Sequence, residues 1–310
     1  MDFRFDPAER FDKQVRHIAG AELGRAALAL EAGGDAGGPK AAAKAAFRAR
    51  KAIKRVRALY KTVRAADHQG LKQAGQELRT IAAALAVLRE PAALAKAAQN
   101  LARQQDASGP EQAALLRLRD RLRRKQVSAL HAGDAQSLLA DAAQRCRTAS
   151  DAIASIHLPK STGKALHVLE KGLARTARDA VSRLDIARQD NSAASWHAFR
   201  SRVKHHRMQM RLLEAAWPGE FRLRADALKL VTDSLGEDHD LAALQARVEA
   251  DRDLVDWPDD MALVSDAIRQ RQQVLRDGAV TGAEYLFADK PDVLAGRVVL
   301  LWREAVRLSR

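Results

Sequence analysis

Cysteine is almost absent from this chain of 310 residues: Cys146 is the only one, so an intramolecular disulfide cannot form. Aromatic residues make up only 4%, and no segment alternates apolar and polar residues as a half-buried strand does. No apolar run is long enough for a membrane span, and the charged start MDFRFDPAER lacks the apolar stretch of a signal peptide. These absences argue against a disulfide scaffold, a β-rich fold and a membrane protein, and they predict a cytoplasmic location.

Alanine and charged residues are abundant instead. Apolar residues make up 47% of the chain, and many of them are alanine, the strongest helix former. The composition therefore predicts an all-α protein with a substantial core, and periodicity divides it into about twelve helices. The net charge is +14 and the sequence isoelectric point is about 10.3, which indicates a polyanionic partner.

Acidic residues are missing from one long segment, Ala41 to Ala66, which holds nine lysines and arginines. Like charges four residues apart each cost a helix about 0.2–0.5 kcal/mol, so such a helix is typical of a protein that binds an external anion. Five cations fall on one stripe of the predicted helix: Arg50, Lys54, Arg57, Lys61 and Arg64. An apolar stripe on another face predicts that the helix also packs into a bundle.

The basic helix recurs 150 residues later, in the acid-free segment Trp196 to Leu213. The shift pairs Arg50 with Arg200, Lys54 with Lys204, Arg57 with Arg207, and Lys61 with Arg211. Four matched cations in one register favour an internal duplication over coincidence. The sequence therefore predicts a single domain over 1–310, made of two similar helical halves at 1–155 and 156–310.

Two further helices carry cations in stripes. One begins at Ser161 and carries Lys164, His167, Lys171, Arg175 and Arg178. The other begins at Pro110 and carries Arg117, Arg121, Arg124 and Lys125. Because Asp120 lies among the cations of the second helix, an ordinary solvated surface is the favoured interpretation there.

Local signals predict where several helices begin and end. Asp6, followed by Pro7 and Glu9, is a helix-start pattern that predicts a first helix ending near Leu30. The glycine-rich segment 33–39 lacks the Gly-Lys-Ser/Thr ending of a phosphate-binding loop and is expected to be a flexible connector. Asp238 is expected to cap a new helix, which separates helices at 220–235 and 238–255.

The basic helices resemble those of the CHAD domain, the conserved-histidine α-helical domain. Its repeated pattern, close to His-x-x-Arg-Lys-x-x-Lys-Arg-x-Arg, is similar to residues 47–57 and 197–204. Its Leu-Gly-x-x-x-Asp-Leu segment resembles 235–241, and 172–178 is similar to the basic helix before the second copy. The resemblance covers nearly the whole chain. It implies two helical bundles related by a pseudo-twofold axis, with a basic groove or channel between them. It also implies binding of inorganic polyphosphate and, for some members, association with polyphosphate granules.

The sequence departs from the family pattern in four places. Phe47 stands where the first histidine is expected, Ser201 replaces a lysine, and Ala177 replaces an aromatic residue. The first-half counterpart of the Asp240 motif is assigned to residues 81–84, which lack its Arg-Asp pair. These departures predict an asymmetric site whose histidine-dependent part rests on His197 alone.

The candidate polyphosphate contacts are cations from three helices and one histidine. They are Arg50, Lys54, Arg57, Lys61, Lys164, Lys171, Arg175, Arg178, His197, Arg200, Lys204, Arg207 and Arg211. His197 is equally compatible with a phosphate contact and with a capping or buried role. A structural role is favoured over a metal site for the cluster 237–240, and no metal or cofactor is expected.

No catalytic residue is predicted, because the chain has no nucleophile elbow, no phosphate-binding loop and no set of carboxylates for two metal ions. Cys146 lies between Arg145 and Arg147, but no base is evident, so it is expected to be an inert thiol. The leading hypothesis is a non-enzymatic polyphosphate-binding protein. The alternative is a nucleic-acid-binding protein for RNA, which the scarcity of aromatic residues disfavours, followed by a hydrolase of phosphate polymers.

Overall fold

A computed structural model describes residues 3–88, 90–126, 132–256 and 258–309, and it contains eleven α-helices and no strand in these ranges. The all-α prediction is therefore confirmed. In chain order the helices are α1 (Phe11–Asp35), α2 (Gly38–Thr62), α3 (His68–Ala84), α4 (Glu90–Ala102), α5 (Pro110–Gln126), α6 (Ala132–Asp151), α7 (Thr162–Asp190), α8 (Ala193–Leu212), α9 (Pro218–Ala250), α10 (Asp259–Leu286) and α11 (Pro291–Leu308). Across the described ranges, no helix has the length and apolar character needed to cross a bilayer.

The first basic helix, α2, packs against α1, α3 and α6 and also reaches α7 and α8. Its apolar stripe is buried as the periodicity predicted: Ile53, Val56, Leu59 and Tyr60 all lie in the core. Complete burial of an aliphatic side chain of this size is worth about 1.5–3 kcal/mol, so this stripe fixes α2 in the bundle with its cations on the remaining surface.

The second basic helix, α8, packs between α7 and α9, and α11 covers the other side of α7. Side chains of all these helices join those of α1, α2, α3 and α6 in one continuous hydrophobic core. Between α7 and α8, Gln209 donates a hydrogen bond to the backbone oxygen of Gly172 (3.2 Å). The two basic helices α2 and α8 are thus held together by the shared hydrophobic core rather than by contacts between their charged faces.

A second core forms where α4 and α5 pack against α9 and α10. This core joins residues on both sides of the predicted boundary between 155 and 156.

The starting positions of the helices repeat along the chain with an offset of about 150 residues. Helices α1, α2 and α5 begin at 11, 38 and 110, and helices α7, α8 and α10 begin at 162, 193 and 259. The span of α3 and α4 together corresponds to that of α9 alone. The duplication itself stays a prediction.

The predicted helix start at Asp6 and the predicted flexible connector at 33–39 are both wrong. Asp6 does not start α1, because its carboxylate accepts a hydrogen bond from the backbone N–H of Ala8 (2.9 Å) in a turn, and the helix begins at Phe11. The glycine-rich segment is mostly helical, since α1 continues to Asp35 and α2 begins at Gly38. Gly33 fits there for a packing reason: a Cβ at this position would lie only 2.2 Å from the Cβ of Ala45.

The predicted helix break before Asp238 is also wrong, because α9 runs without interruption from Pro218 to Ala250. Asp238 is buried inside this helix, and its carboxylate accepts a hydrogen bond from Nε of Arg276 on α10 (2.7 Å). Gly236 does not end the helix either. A Cβ there would lie 3.0 Å from Nη2 of Arg200, so the glycine gives that side chain room beside α9.

Candidate anion-binding cleft

Helices α2 and α8 come together at a cleft of about 570 Å³ that is lined by nine cationic side chains among the described residues. Four are on α2, four are on α8, and Arg4 belongs to the segment before α1. The helical ones are Arg50, Lys51, Lys54, Arg55, Arg200, Lys204, Arg207 and Arg211.

The cleft brings together six of the thirteen residues predicted as polyphosphate contacts. Two of the six, Arg50 and Lys54, are on α2, and the other four are on α8. Helix α8 therefore contributes more of the predicted contacts, although the described lining takes four cations from each helix, since Lys51 and Arg55 of α2 were not predicted.

Glu214 is the only acidic side chain among the described residues that line the cleft. It is 3% exposed, and its carboxylate accepts hydrogen bonds from Arg4 (3.1 Å), Arg211 (3.1 Å) and Arg222 (2.7 Å). Burial alone would raise the pKa of Glu214, but the hydrogen bonds from Arg222 and Arg211 hold this pKa below its usual value. From outside the lining, Asp226 accepts a hydrogen bond from Arg211 (2.9 Å) and Glu22 accepts one from Arg55 (3.1 Å). Three carboxylates against nine cations still leave the cleft with an excess of positive charge.

The charge of Arg207 is disfavoured by its own surroundings. Burial, followed by the nearby charge of Arg211, lowers the pKa of its guanidinium, although Asp233 and Asp226 act in the opposite direction. Its Nε atom is buried and has no hydrogen-bond partner among the described residues. An anion bound in the cleft would favour the charged form of Arg207, because it would supply a compensating negative charge.

Arg57 and Lys61 do not line the cleft, although they continue the same stripe of α2. They lie with Arg202 and His205 of α8, where Nζ of Lys61 is 3.3 Å from each ring nitrogen of His205. Burial, together with the charges of Arg202 and Arg57, lowers the pKa of Lys61 to about 8. The predicted stripe therefore divides after Lys54 into a cleft portion and a second basic cluster.

The predicted contacts on α7 also lie outside the cleft lining. Lys164, Lys171, Arg175 and Arg178 are exposed on this helix, and Arg178 forms an ion pair with Asp292 of α11 (2.7 Å). The structure therefore separates the α7 cations from the residues that α2 and α8 bring together. Their role as polyphosphate contacts stays a prediction.

His197 lies against a second histidine that the sequence did not single out as a site residue. The ring centroids of His197 on α8 and His239 on α9 are 4.2 Å apart, and the rings are tilted by 39°. His197 is exposed and Ser192 is the N-cap of α8, so the capping and buried roles are both wrong. Packing around the rings, reinforced by the charges of Arg200 and Lys54, lowers both pKa values, that of His197 to about 4.

A hydrogen-bond network holds the start of α8 against α9 and α10. Arg276 donates hydrogen bonds to Asp238 (2.7 Å) and to the side-chain oxygen of Asn191 (2.9 Å), and it lies over the ring of Trp196 at 5.5 Å. The indole N–H of Trp196 donates to the same oxygen of Asn191 (2.8 Å). Because Trp196 and Asp238 directly precede His197 and His239 in the chain, this network positions the two rings. Its members are far apart in sequence, so no local pattern predicts it.

Other reactive groups are engaged elsewhere in the fold. Cys146 is fully buried, and burial raises the pKa of its thiol to about 11, as expected of an inert thiol. Glu237 accepts a hydrogen bond from Arg271 of α10 (2.7 Å), and Asp240 lines a smaller depression beside Arg200. In the part of the chain that the structure describes, no group of three or more His, Cys, Asp or Glu side chains is arranged to hold a metal ion.

Comparison with known proteins agrees with this architecture. The sequence model of the CHAD domain matches residues 12–249, and a search of curated protein sequences finds no match. The crystal structure of the CHAD domain from the plant Ricinus communis is similar, with a TM-score of 0.50 and 16% sequence identity over 91% of this chain and 94% of that one. At this identity the likeness concerns the fold. Since the family model covers most of the sequence, the chain belongs to the CHAD domain family.

Proposed function

We propose that this protein binds inorganic polyphosphate in the cleft between α2 and α8. The observation that carries the proposal is the composition of the cleft lining, in which nine cations face one carboxylate that is already shared by three arginines. Polyphosphate carries a charge on every unit and has no bases to be recognised. Arginine forks hold two phosphate oxygens at once and lysines act as point charges, so a row of both suits such a polymer.

The expected strength of binding follows from the number of contacts. If six of the lining cations each contribute about 1 kcal/mol, the sum of about 6 kcal/mol corresponds to a dissociation constant of some tens of micromolar, and about eight such contacts would reach 1 μM, before ordering costs. Several of these side chains are partly buried, so salt screens them less than it screens a fully exposed pair. Membership of the CHAD domain family supports the same ligand, as does the resemblance of the two basic helices.

RNA is the competing ligand, and the aromatic residues of the cleft distinguish the two. Phe47 is 46% exposed in the lining, whereas Phe3 is 8% exposed and lies 6.0 Å from the guanidinium of Arg55. Proteins that bind single strands without sequence preference stack successive bases on several aromatic rings. A single exposed ring offers little of this stacking, which favours polyphosphate.

We further propose that binding is not followed by hydrolysis. Glu214 is the one carboxylate of the described lining, and its three arginine partners leave it unsuited to activate water or to hold two metal ions. A cytoplasmic location and association with polyphosphate granules belong to the same proposal. Release of phosphate from polyphosphate in the presence of Mg²⁺ would contradict the non-enzymatic assignment.

The test is a comparison of long-chain polyphosphate with RNA of equal total charge at several salt concentrations. We expect polyphosphate to bind more tightly at every concentration, and to raise the melting temperature of the protein because it binds only the folded state. RNA binding of equal strength would overturn the choice of ligand. No thermal shift at saturating polyphosphate would overturn the site itself.

A further inference from the structure

His197 and His239 form a pair beside the cleft, although neither is among its lining residues. Arg200, which lines the cleft, follows His197 by three residues on α8, and its Nη2 would lie 3.0 Å from a Cβ at Gly236, three residues before His239 on α9. His197 is exposed and His239 is half-buried, and their ring centroids are 4.2 Å apart. Lys54 of α2 and Arg200 of α8, which both line the cleft, act on both rings. The two rings therefore lie where α8 packs against α9, next to the Arg200 side chain of the cleft.

The charged groups around this pair come from five helices. Glu237 and Asp238 are engaged by Arg271 and Arg276 of α10, each at 2.7 Å, so these carboxylates are directed to α10. The remaining groups near Arg200 and the pair are Lys96 of α4, Lys54 of α2, and Asp233 and Asp240 of α9. With Lys54 and Arg200 nearby, the cations oppose a further positive charge on either ring, which keeps both rings neutral near pH 7.

We propose that His197 and His239 together form a titratable phosphate contact, which takes up a proton from solvent when polyphosphate binds. Phosphate oxygens held by Lys54 and Arg200 would compensate the two cations that oppose protonation. They would also accept a hydrogen bond from the ring N–H that the proton creates. This inference rests on the proposed function, and it adds His239 to the binding residues.

The short distance between the rings limits the uptake. Two imidazolium rings whose centroids are 4.2 Å apart would repel each other. The two histidines therefore share the first proton, and binding of a second proton to the pair is disfavoured. We therefore expect uptake of about one proton per site on binding. Because the bound state holds more protons than the free state, affinity must rise as the pH falls, by at most about tenfold per pH unit for one proton.

The experiment is calorimetric titration with long-chain polyphosphate in buffers of different ionisation enthalpy, between about pH 5.5 and 8, where histidine titrates. Long chains are used because their internal phosphate groups do not titrate in this range. The variants are His197→Gln with His239→Gln, and His205→Gln as the control. Glutamine is a good helix former, and His205 lies in the separate cluster around Lys61.

We expect proton uptake and a pH-dependent affinity in the unmodified protein and in the control, and neither effect in the double variant. Unchanged uptake in the double variant, or loss of uptake in the control, would overturn the inference, as would polyphosphate binding without uptake. Absence of polyphosphate binding at every pH would instead overturn the proposed function. If the double variant does not fold, an NMR titration of the unmodified protein decides the question, because the ring pKa values must then rise when polyphosphate is added.

Discussion

Helix α5 and the cleft between α2 and α8 both present rows of cations, but the carboxylates near them are placed differently. Three carboxylates stand in a row opposite α5, whereas Asp226 and Glu22 reach Arg211 and Arg55 from outside the described lining of the cleft. Arg117 pairs with Asp260 (2.9 Å), Arg121 with Asp256 (2.7 Å) and Lys125 with Asp251 (2.7 Å). These ion pairs fasten α5 to the end of α9 and the start of α10. The cleft has Glu214 alone in its described lining. A basic stripe is thus informative about an external ligand only when the structure shows which acids lie opposite it.

The largest effect is expected from the ion pair between the buried carboxylate of Asp238 and Arg276, whose side chain is 11% exposed. Asp238→Ala would leave the Arg276 guanidinium buried without its carboxylate, which typically costs about 3–5 kcal/mol. Urea unfolding followed by circular dichroism measures this loss. A cost below about 1 kcal/mol would contradict the structural role assigned to this ion pair.

A smaller effect should separate a paired arginine of α5 from an arginine of the cleft. Arg117→Met removes a partner from the mostly buried carboxylate of Asp260 and should lower the free energy of unfolding by about 1 kcal/mol. Arg207→Met keeps most of the aliphatic stem and removes a charge that burial disfavours, so stability should change by less than about 0.5 kcal/mol.

The effects on polyphosphate binding should be the reverse of those on stability. Arg207→Met should weaken binding, and Arg117→Met should leave the affinity unchanged. Thermal melting with and without polyphosphate measures both quantities on the same samples. Equal effects of the two substitutions on stability would remove the distinction between the two regions.

The smallest effect concerns the exposed aromatic ring of the cleft. Phe47→Ala should leave polyphosphate affinity within about twofold, because a phosphate chain has no base to stack on the ring, whereas stacking of a base is worth about 1–3 kcal/mol. Fluorescence competition with RNA and polyphosphate measures both affinities. A larger loss for polyphosphate than for RNA would contradict the role assigned to the cations.

Local periodicity predicted the parts of the fold that depend on neighbouring residues. The basic helix α2, its buried stripe with Ile53 and Val56, and the second basic helix α8 could all be predicted from the sequence, because burial and charge repeat with the helical period. The ends of helices were less predictable. In α9, Gly236 and Asp238 look like a helix boundary in the sequence, but they serve contacts with side chains of α8 and α10.

Contacts between distant segments account for what the sequence did not predict. The carboxylate that pairs with Arg117 lies 143 residues further along the chain. The sequence around α5 therefore does not show that this cation is neutralised by an acidic partner. The meeting of His197 with His239 and the division of the α2 stripe after Lys54 likewise depend on how α8 and α9 pack. The candidate site could therefore be predicted as a set of cations, but not as a cleft with defined members.

The most direct test of the cleft compares two double variants with the same change in net charge. Lys54→Glu with Lys204→Glu alters the cleft, and Arg123→Glu with Arg124→Glu alters exposed positions of α5. Affinity for long-chain polyphosphate is measured for both by calorimetry, with melting curves to show that each folds. We predict a loss of about 100-fold or more, or about 2.7 kcal/mol, for the cleft variant and a change of less than about threefold for the α5 variant. Equal losses would show that net charge, rather than the cleft between α2 and α8, is what binds the polymer.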